Sequence, residues 1–206
     1  FNNDAGAFAV GSVDSPGTSD SVTVTLAGGV TLADIADTSG TPGELDNVTI
    51  ASNGTGDEVN EVSQVGSGGN LATDADLTLT GSQDLTVKGF AGSQDLGSID
   101  GSAADGDLTV NASGVDDDSS SDGDDAFSIA GGSGDDTLTG GSIGTILTGN
   151  GGDDVLNGGA GDNDDTITGG AGADTLTGNG GNDTFVFAEG DGGSASDARD
   201  EITDLA

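Results

Sequence analysis

The chain has 206 residues and a formal net charge of −36, because 38 acidic side chains face only two basic ones, Lys88 and Arg199. That charge excludes nucleic acid and anionic membranes as partners by repulsion, and the absence of cysteine excludes disulfides and thiolate metal sites. Six Phe with no Trp, Tyr or Met leave a thin core of Val, Leu and Ile, and no apolar run approaches the roughly 20 residues that span a bilayer.

The acidic residues are strongly skewed. Only Glu44, Glu58, Glu61, Glu189 and Glu201 are glutamate; the rest are aspartate, accompanied by 41 glycines. A short carboxylate suits a tight turn, and glycine suits a backbone that needs positive φ. High charge, few aromatics and much Gly and Ser are also the composition of a disordered chain, so pattern has to decide. The start at Phe1 without a methionine and the stop at Ala206 in mid-pattern suggest part of a longer polypeptide.

Residues 1–119 carry a loose β signal. Alternating segments are SVTVTLA (21–27), DNVTIAS (46–52), DLTLTGSQDLTVKGF (76–90) and DLTVNAS (107–113). Clusters of Gly, Ser, Asn and Asp separate them, as turns separate short strands. Asp-Leu pairs at 76, 84, 95 and 107 mark an irregular repeat. Only TLADIAD (31–37) hints at a helical period. The acidic run DDDSSSDGDD (116–125) is the clearest seam.

After the seam the sequence becomes periodic. From Gly131 it divides into GGSGDDTLT (131–139), GGSIGTILT (140–148), GNGGDDVLN (149–157), GGAGDNDDTIT (158–168), GGAGADTLT (169–177) and GNGGNDTFV (178–186), with a fainter copy at 120–128. Each unit reads as a six-residue turn and a three-residue strand. One apolar residue per unit (Leu138, Leu147, Leu156, Ile167, Leu176 or Phe185) cannot form a core alone, but stacked units can. If two units make one coil, alternate turns lie on opposite sides. Asp136, Asp154 and Asp174 then form one ladder, while Asp125, Thr145, Asp165 and Asp183 form a second one, broken at Thr145 and distorted by the two-residue insertion in 158–168.

The sixth-place aspartates are candidate metal ligands. Calcium takes about six to eight oxygens, and a glycine-rich turn offers backbone carbonyls beside a carboxylate. One turn offers too few, so the ion must sit between turns, and binding and stacking become one event. The candidate ligand set is Asp125, Gly134, Asp136, Gly152, Asp154, Asp165, Gly172, Asp174, Gly181 and Asp183. Tandem copies favour this reading over aspartates that merely solvate turns.

The motif Gly-Gly-x-Gly-x-Asp-x-apolar-x resembles that of the RTX family of secreted calcium-binding proteins, over residues 120–187. FVFAEGDGGSASDARDEITDLA (185–206) resembles the segment that closes such rolls before a C-terminal secretion signal, which is not part of this sequence. The resemblance implies Ca2+ as the cofactor, an extracellular or cell-surface location in a Gram-negative bacterium, and type I secretion with folding outside the cell. LTLTGSQDLTV and DLTVNASG resemble the β-solenoid parts of bacterial surface-layer proteins that carry RTX repeats, and also the Thr-rich strands of adhesins.

Other motifs fail on chemistry. GGSIG (140–144) has the spacing of a serine nucleophile elbow, but the chain contains no histidine to act as base. DSSSDG (118–123) begins like an EF-hand loop, but its twelfth position is Ile129 where a bidentate Glu is needed. The expected fold is all-β: a Thr/Gly-rich β-solenoid over 1–119, a calcium-bound parallel β-roll over 120–187 and a closing segment over 188–206. The expected function is that of a non-enzymatic structural protein, a surface-layer or filament component that binds calcium and self-associates. Cell-surface polysaccharide is a candidate anchor, and neither nucleic-acid binding nor membrane insertion is expected. The alternatives are the carrier region of a secreted hydrolase or an adhesin.

Overall fold

Segments of two to eleven residues, most of them rich in Val, Leu, Ile and Thr, form strands and are too short for stable helices. The structure, a computed structural model, describes residues 6–10, 20–37, 45–54, 58–66, 71–90, 96–115, 127–189, 191 and 199–205. Before the seam these form β1 (Gly6–Val10), β2 (Asp20–Ala27), β3 (Thr31–Asp37), β4 (Leu45–Asn53), β5 (Asn60–Val62), β6 (Leu71–Gly81), β7 (Leu85–Val87), β8 (Leu96–Ala104) and β9 (Leu108–Asn111). After it come β10 (Phe127–Ala130), β11 (Thr137–Thr139), β12 (Thr145–Gly151), β13 (Val155–Asn157), β14 (Thr166–Ala171), β15 (Thr175–Thr177), β16 (Thr184–Val186) and β17 (Glu201–Ile202). No described residue is helical, so no described helix could cross a membrane.

All odd-numbered strands lie in order in one sheet and all even-numbered strands in order in the other. Every strand pairing is parallel. Each coil therefore contributes one strand to each sheet, the two-sheet architecture of a parallel β-solenoid and β-roll. Two nonapeptides make one coil, and equivalent residues recur at a separation of 18, or of 20 where the inserted residues are spanned.

The core is a pair of columns, one per sheet. In the odd sheet Leu32, Val62, Val87, Val110, Leu138, Leu156, Leu176 and Ile202 lie in register. In the even sheet Val22, Val48, Leu77, Ile99, Ile129, Leu147, Ile167 and Phe185 do so. The eighth-place apolar residues of the repeats thus continue columns that begin in the N-terminal region. Neither column breaks at the seam, because β8 pairs with β10 and β9 with β11. Burying each such side chain contributes about 1.5–3 kcal/mol.

TLADIAD is a strand, not a helical turn. Leu32 and Ile35 both face inward, a three-residue spacing that imitates a helix. They pair with Gly6 and Phe8, which are two apart, so the register slips by one residue there. An extra residue in a strand gives this spacing. Sequence reading also missed β1, β5 and β8, which are paired into the sheets without a clean alternation of apolar residues.

Adjacent positions should therefore respond very differently. Leu147 is fully buried and Ile146 is 40% exposed on the outer face. In calcium, Leu147→Ala should cost about 2–5 kcal/mol by chemical denaturation, whereas Ile146→Thr should stay within about 0.5 kcal/mol. Similar losses from both would contradict the sidedness of β12.

Candidate metal centre

Each turn that precedes an odd-sheet strand of the roll buries a carboxylate. Asp136, Asp154 and Asp174 are each 1% exposed, and on the even side Asp165 is almost as buried. A buried carboxylate is costly unless it is paired or hydrogen-bonded, so where each oxygen points decides what the site can do.

One oxygen of each is used to join coils. The N–H of Leu108 donates to Asp136 Oδ1 at 2.7 Å, that of Asp136 to Asp154 Oδ1 at 2.8 Å, and that of Asp154 to Asp174 Oδ1 at 2.9 Å. Asp174 N–H continues the series to Asp200 Oδ1. On the even side Thr145 N–H donates to Asp165 Oδ1 and Asp165 N–H to Asp183 Oδ1. The structure therefore brings Asp136, Asp154 and Asp174 into one ladder and Asp165 and Asp183 into the other, with Thr145 at its head. Asp125 lies outside the described residues.

The other oxygen is left over. Asp136 Oδ2 accepts from Gly132 N–H at 2.6 Å, but Oδ2 of Asp154 and of Asp174 is buried with no hydrogen-bond partner. A methyl group on Gly149 would overlap Asp154 Oδ2 and lie 2.5 Å from the carbonyl oxygen of Gly169. A methyl on Gly131 would overlap Asp136 Oδ2 and lie 2.7 Å from Gly149 O, and one on Gly158 would overlap Asp165 Oδ2 and lie 2.8 Å from Gly178 O. The first-place glycine of a unit thus leaves a nook where a carboxylate of its own turn meets a carbonyl of the next coil. Among the described residues no three His, Cys, Asp or Glu side chains converge to hold a metal. The oxygens on offer are one carboxylate per rung plus backbone carbonyls, a hard, all-oxygen donor set that fits calcium.

The fourth-place glycines, named with the aspartates as candidate ligands, also set how closely the coils pack. Gly152, Gly172 and Gly181 have φ of 112°, 151° and 123°, and a methyl on each would overlap the carbonyl of the coil beneath, at Gly134, Gly152 and Asn163 respectively. They let coils approach closely at the corner. Sequence reasoning took these glycines as ligands and passed over Gly131, Gly149, Gly158, Gly169 and Gly178, which face the carboxylates.

A second aspartate series also escaped it. Asp84 Oδ1 accepts from Asp107 N–H, Asp107 Oδ1 from Asp135 N–H, Asp135 Oδ1 from Asp153 N–H and Asp153 Oδ1 from Ala173 N–H, all between 2.8 and 3.1 Å. These carboxylates lie outside the buried ladder and hold register across the seam. The Asp-Leu pairs at 84 and 107 and the Asp doublets 135–136 and 153–154 were their signal.

The electrostatics follow from burial. The Asp154 carboxyl is pushed up to about 7 and that of Asp165 to about 6, chiefly by desolvation, with neighbouring carboxylates adding to it and backbone N–H donors opposing it. Asp136 and Asp174 shift upward for the same first reason. An added cation would relieve both the desolvation and the repulsion.

Residues 119–142, 146–164 and 161–193 match the family model of the RTX calcium-binding nonapeptide repeat (4 copies). The matched stretches hold both carboxylate ladders, and the ion of such repeats is calcium. No curated protein and no solved structure matches the chain.

Two outcomes follow. In chelator, these raised carboxyls stabilise the fold fully below the unfolded aspartate value near 4, and that contribution is lost as pH climbs through about 6–7. Calcium-free protein should therefore be more stable at pH 5 than at pH 8, and calcium should remove the difference; greater calcium-free stability at pH 8 would contradict the buried ladder. Second, Gly149→Ala should weaken calcium binding by about tenfold or more in titration calorimetry. Gly151→Ala, whose added methyl would meet nothing within 4 Å, should leave it unchanged.

Proposed function

Starting from an RTX repeat region that binds calcium, stacked in register on a second solenoid region, we propose that this chain is a calcium-dependent extracellular structural protein. The observation that carries the reading is the continuity of the two sheets across the seam. The column occupied by Asp136, Asp154 and Asp174 is occupied upstream by Asn60, Leu85 and Leu108. One rod thus has an end whose corners are neutral and an end whose corners carry buried charge.

Calcium supplies the positive charge that the ladder lacks, and the chain does the rest. Without it the carboxylates repel one another, and ordering each residue costs about 1–2 kcal/mol of backbone entropy. With it, binding free energy is added to folding. At the low calcium of a cell interior the roll stays open, which suits passage through a type I secretion channel, and millimolar calcium outside closes it. Catalysis is not part of the proposal: the sequence has no His or Cys and one Lys. The rod serves as a surface-layer or filament component, self-associating through unpaired strand edges, which template further pairing when left uncovered.

Circular dichroism of the full chain should show a gain in β signal on adding calcium, and magnesium at the same concentration should not reproduce it. Light scattering of the same samples should then show calcium-dependent assembly. A particle that stays monomeric throughout the millimolar calcium range would overturn the structural role while leaving calcium-driven folding intact.

A further inference from the structure

The turn over residues 140–145 differs from the other described turns of the roll. It carries Ile143 in the fourth place and Thr145 in the sixth, positions that hold glycine and aspartate in the regular units. Read from sequence, this is a broken rung. In the structure it is a filled one.

Thr145 is 1% exposed, and both its hydroxyl and its N–H have partners. Its Oγ1 accepts from Gly141 N–H at 3.3 Å and donates to Ile143 O at 3.0 Å, while its N–H donates to Asp165 Oδ1 at 2.7 Å. The bond from Gly141 repeats the one that Asp136 Oδ2 takes from Gly132, with a hydroxyl in place of a carboxylate. Ile143 packs against the core. The next unit on that side carries the two inserted residues, and from there Asn163 reaches back, its Nδ2 donating to Ser142 O at 2.6 Å. The carboxylates that raise Asp165 are Asp183 and Asp164; Thr145 adds no charge from above. On the odd side, by contrast, Asp154 is pressed by both Asp136 and Asp174, and two of those three carboxylates keep an unpartnered oxygen.

The N-terminal region closes a rung in the same neutral way. Asn60 is fully buried in the column that later holds the aspartates; its Oδ1 accepts from Val30 N–H and its Nδ2 donates to Ser52 Oγ, both at 2.9 Å. The amide takes the inter-coil bond that a ladder Oδ1 takes, and the hydroxyl at 145 takes the in-turn bond that Asp136 Oδ2 takes, neither of them needing a cation.

We propose that the Thr145 turn is a calcium-independent clasp. It keeps β10, β12 and β14 paired when calcium is absent, so the two sheets of the roll differ in their need for the ion, and calcium-driven closure starts from a preformed even sheet. The clasp rests on the calcium-coupled folding described above, and the experiment separates the two. Hydrogen exchange is followed on the full chain at neutral pH, in chelator and in millimolar calcium. In chelator the amides of 145–148 should exchange about tenfold or more slowly than those of 155–157 and 175–177. Calcium should bring the latter to the level of the former. Thr145→Val, which removes both hydroxyl bonds without adding charge, should abolish the difference in chelator, and Thr145→Ser should keep it. Loss of protection by both sheets together in chelator, or an unaltered pattern in Thr145→Val, would overturn the clasp. Full protection of both sheets with and without calcium would overturn the calcium coupling itself, and the clasp with it.

Discussion

The roll depends on a carboxylate held inside each corner of the odd sheet, where water cannot reach it. Two like charges at coil spacing repel far more strongly there than at a surface, because the screening medium is gone. The repeat follows from that one placement. The first-place glycine has no side chain because the carboxylate occupies that volume. The fourth-place glycines Gly152, Gly172 and Gly181 take positive φ where the coil beneath is in contact with them. The eighth-place leucine turns inward because only stacking of its neighbours can bury it. A sequence that keeps Asp at the sixth place while varying the third and ninth is following this geometry.

The same geometry explains how two regions of such different texture share one body. In both sheets the apolar columns pass the seam in register, and the outer ladder of Asp84, Asp107, Asp135 and Asp153 ties successive coils on either side of it. What changes is the corner chemistry. Leu85 and Leu108 fill the corner with hydrocarbon, Asn60 and Thr145 fill it with neutral, hydrogen-bonded groups, and Asp136, Asp154, Asp165 and Asp174 fill it with charge. Only the last class asks for a counter-ion. Calcium demand is thus written corner by corner, and the more neutral end supplies a stacked face on which the charged coils can close.

The periodic part of the fold was legible because a nine-residue repeat with one apolar residue admits few solutions. The alternation of Asp136, Asp154 and Asp174 on one side with Thr145, Asp165 and Asp183 on the other could be read from spacing alone. The irregular part was less legible. TLADIAD looked helical because a register slip opposite Gly6 and Phe8 spaces Leu32 and Ile35 by three. Within the site, the carboxylates were legible as a class, but the roles of the glycines were not. Which glycine faces the carboxylate and which faces the neighbouring coil depends on how coils stack, and sequence spacing does not carry that information. Thr145 and Ile143 looked like decay for the same reason: their partners Gly141 and Asp165, and the reach of Asn163 to Ser142, exist only after folding.

The central claim is that the cation lies where a buried carboxylate oxygen meets a first-place glycine nook. Crystals of the full chain grown in calcium, with anomalous scattering used to locate the ions, test it most directly. Ions are expected beside Oδ2 of Asp136, Asp154 and Asp174, with a further ion beside Asp165 on the even side and none beside Thr145. Ions bound instead along the exposed carboxylates of Asp107, Asp135 and Asp153, with the buried oxygens left bare, would contradict it.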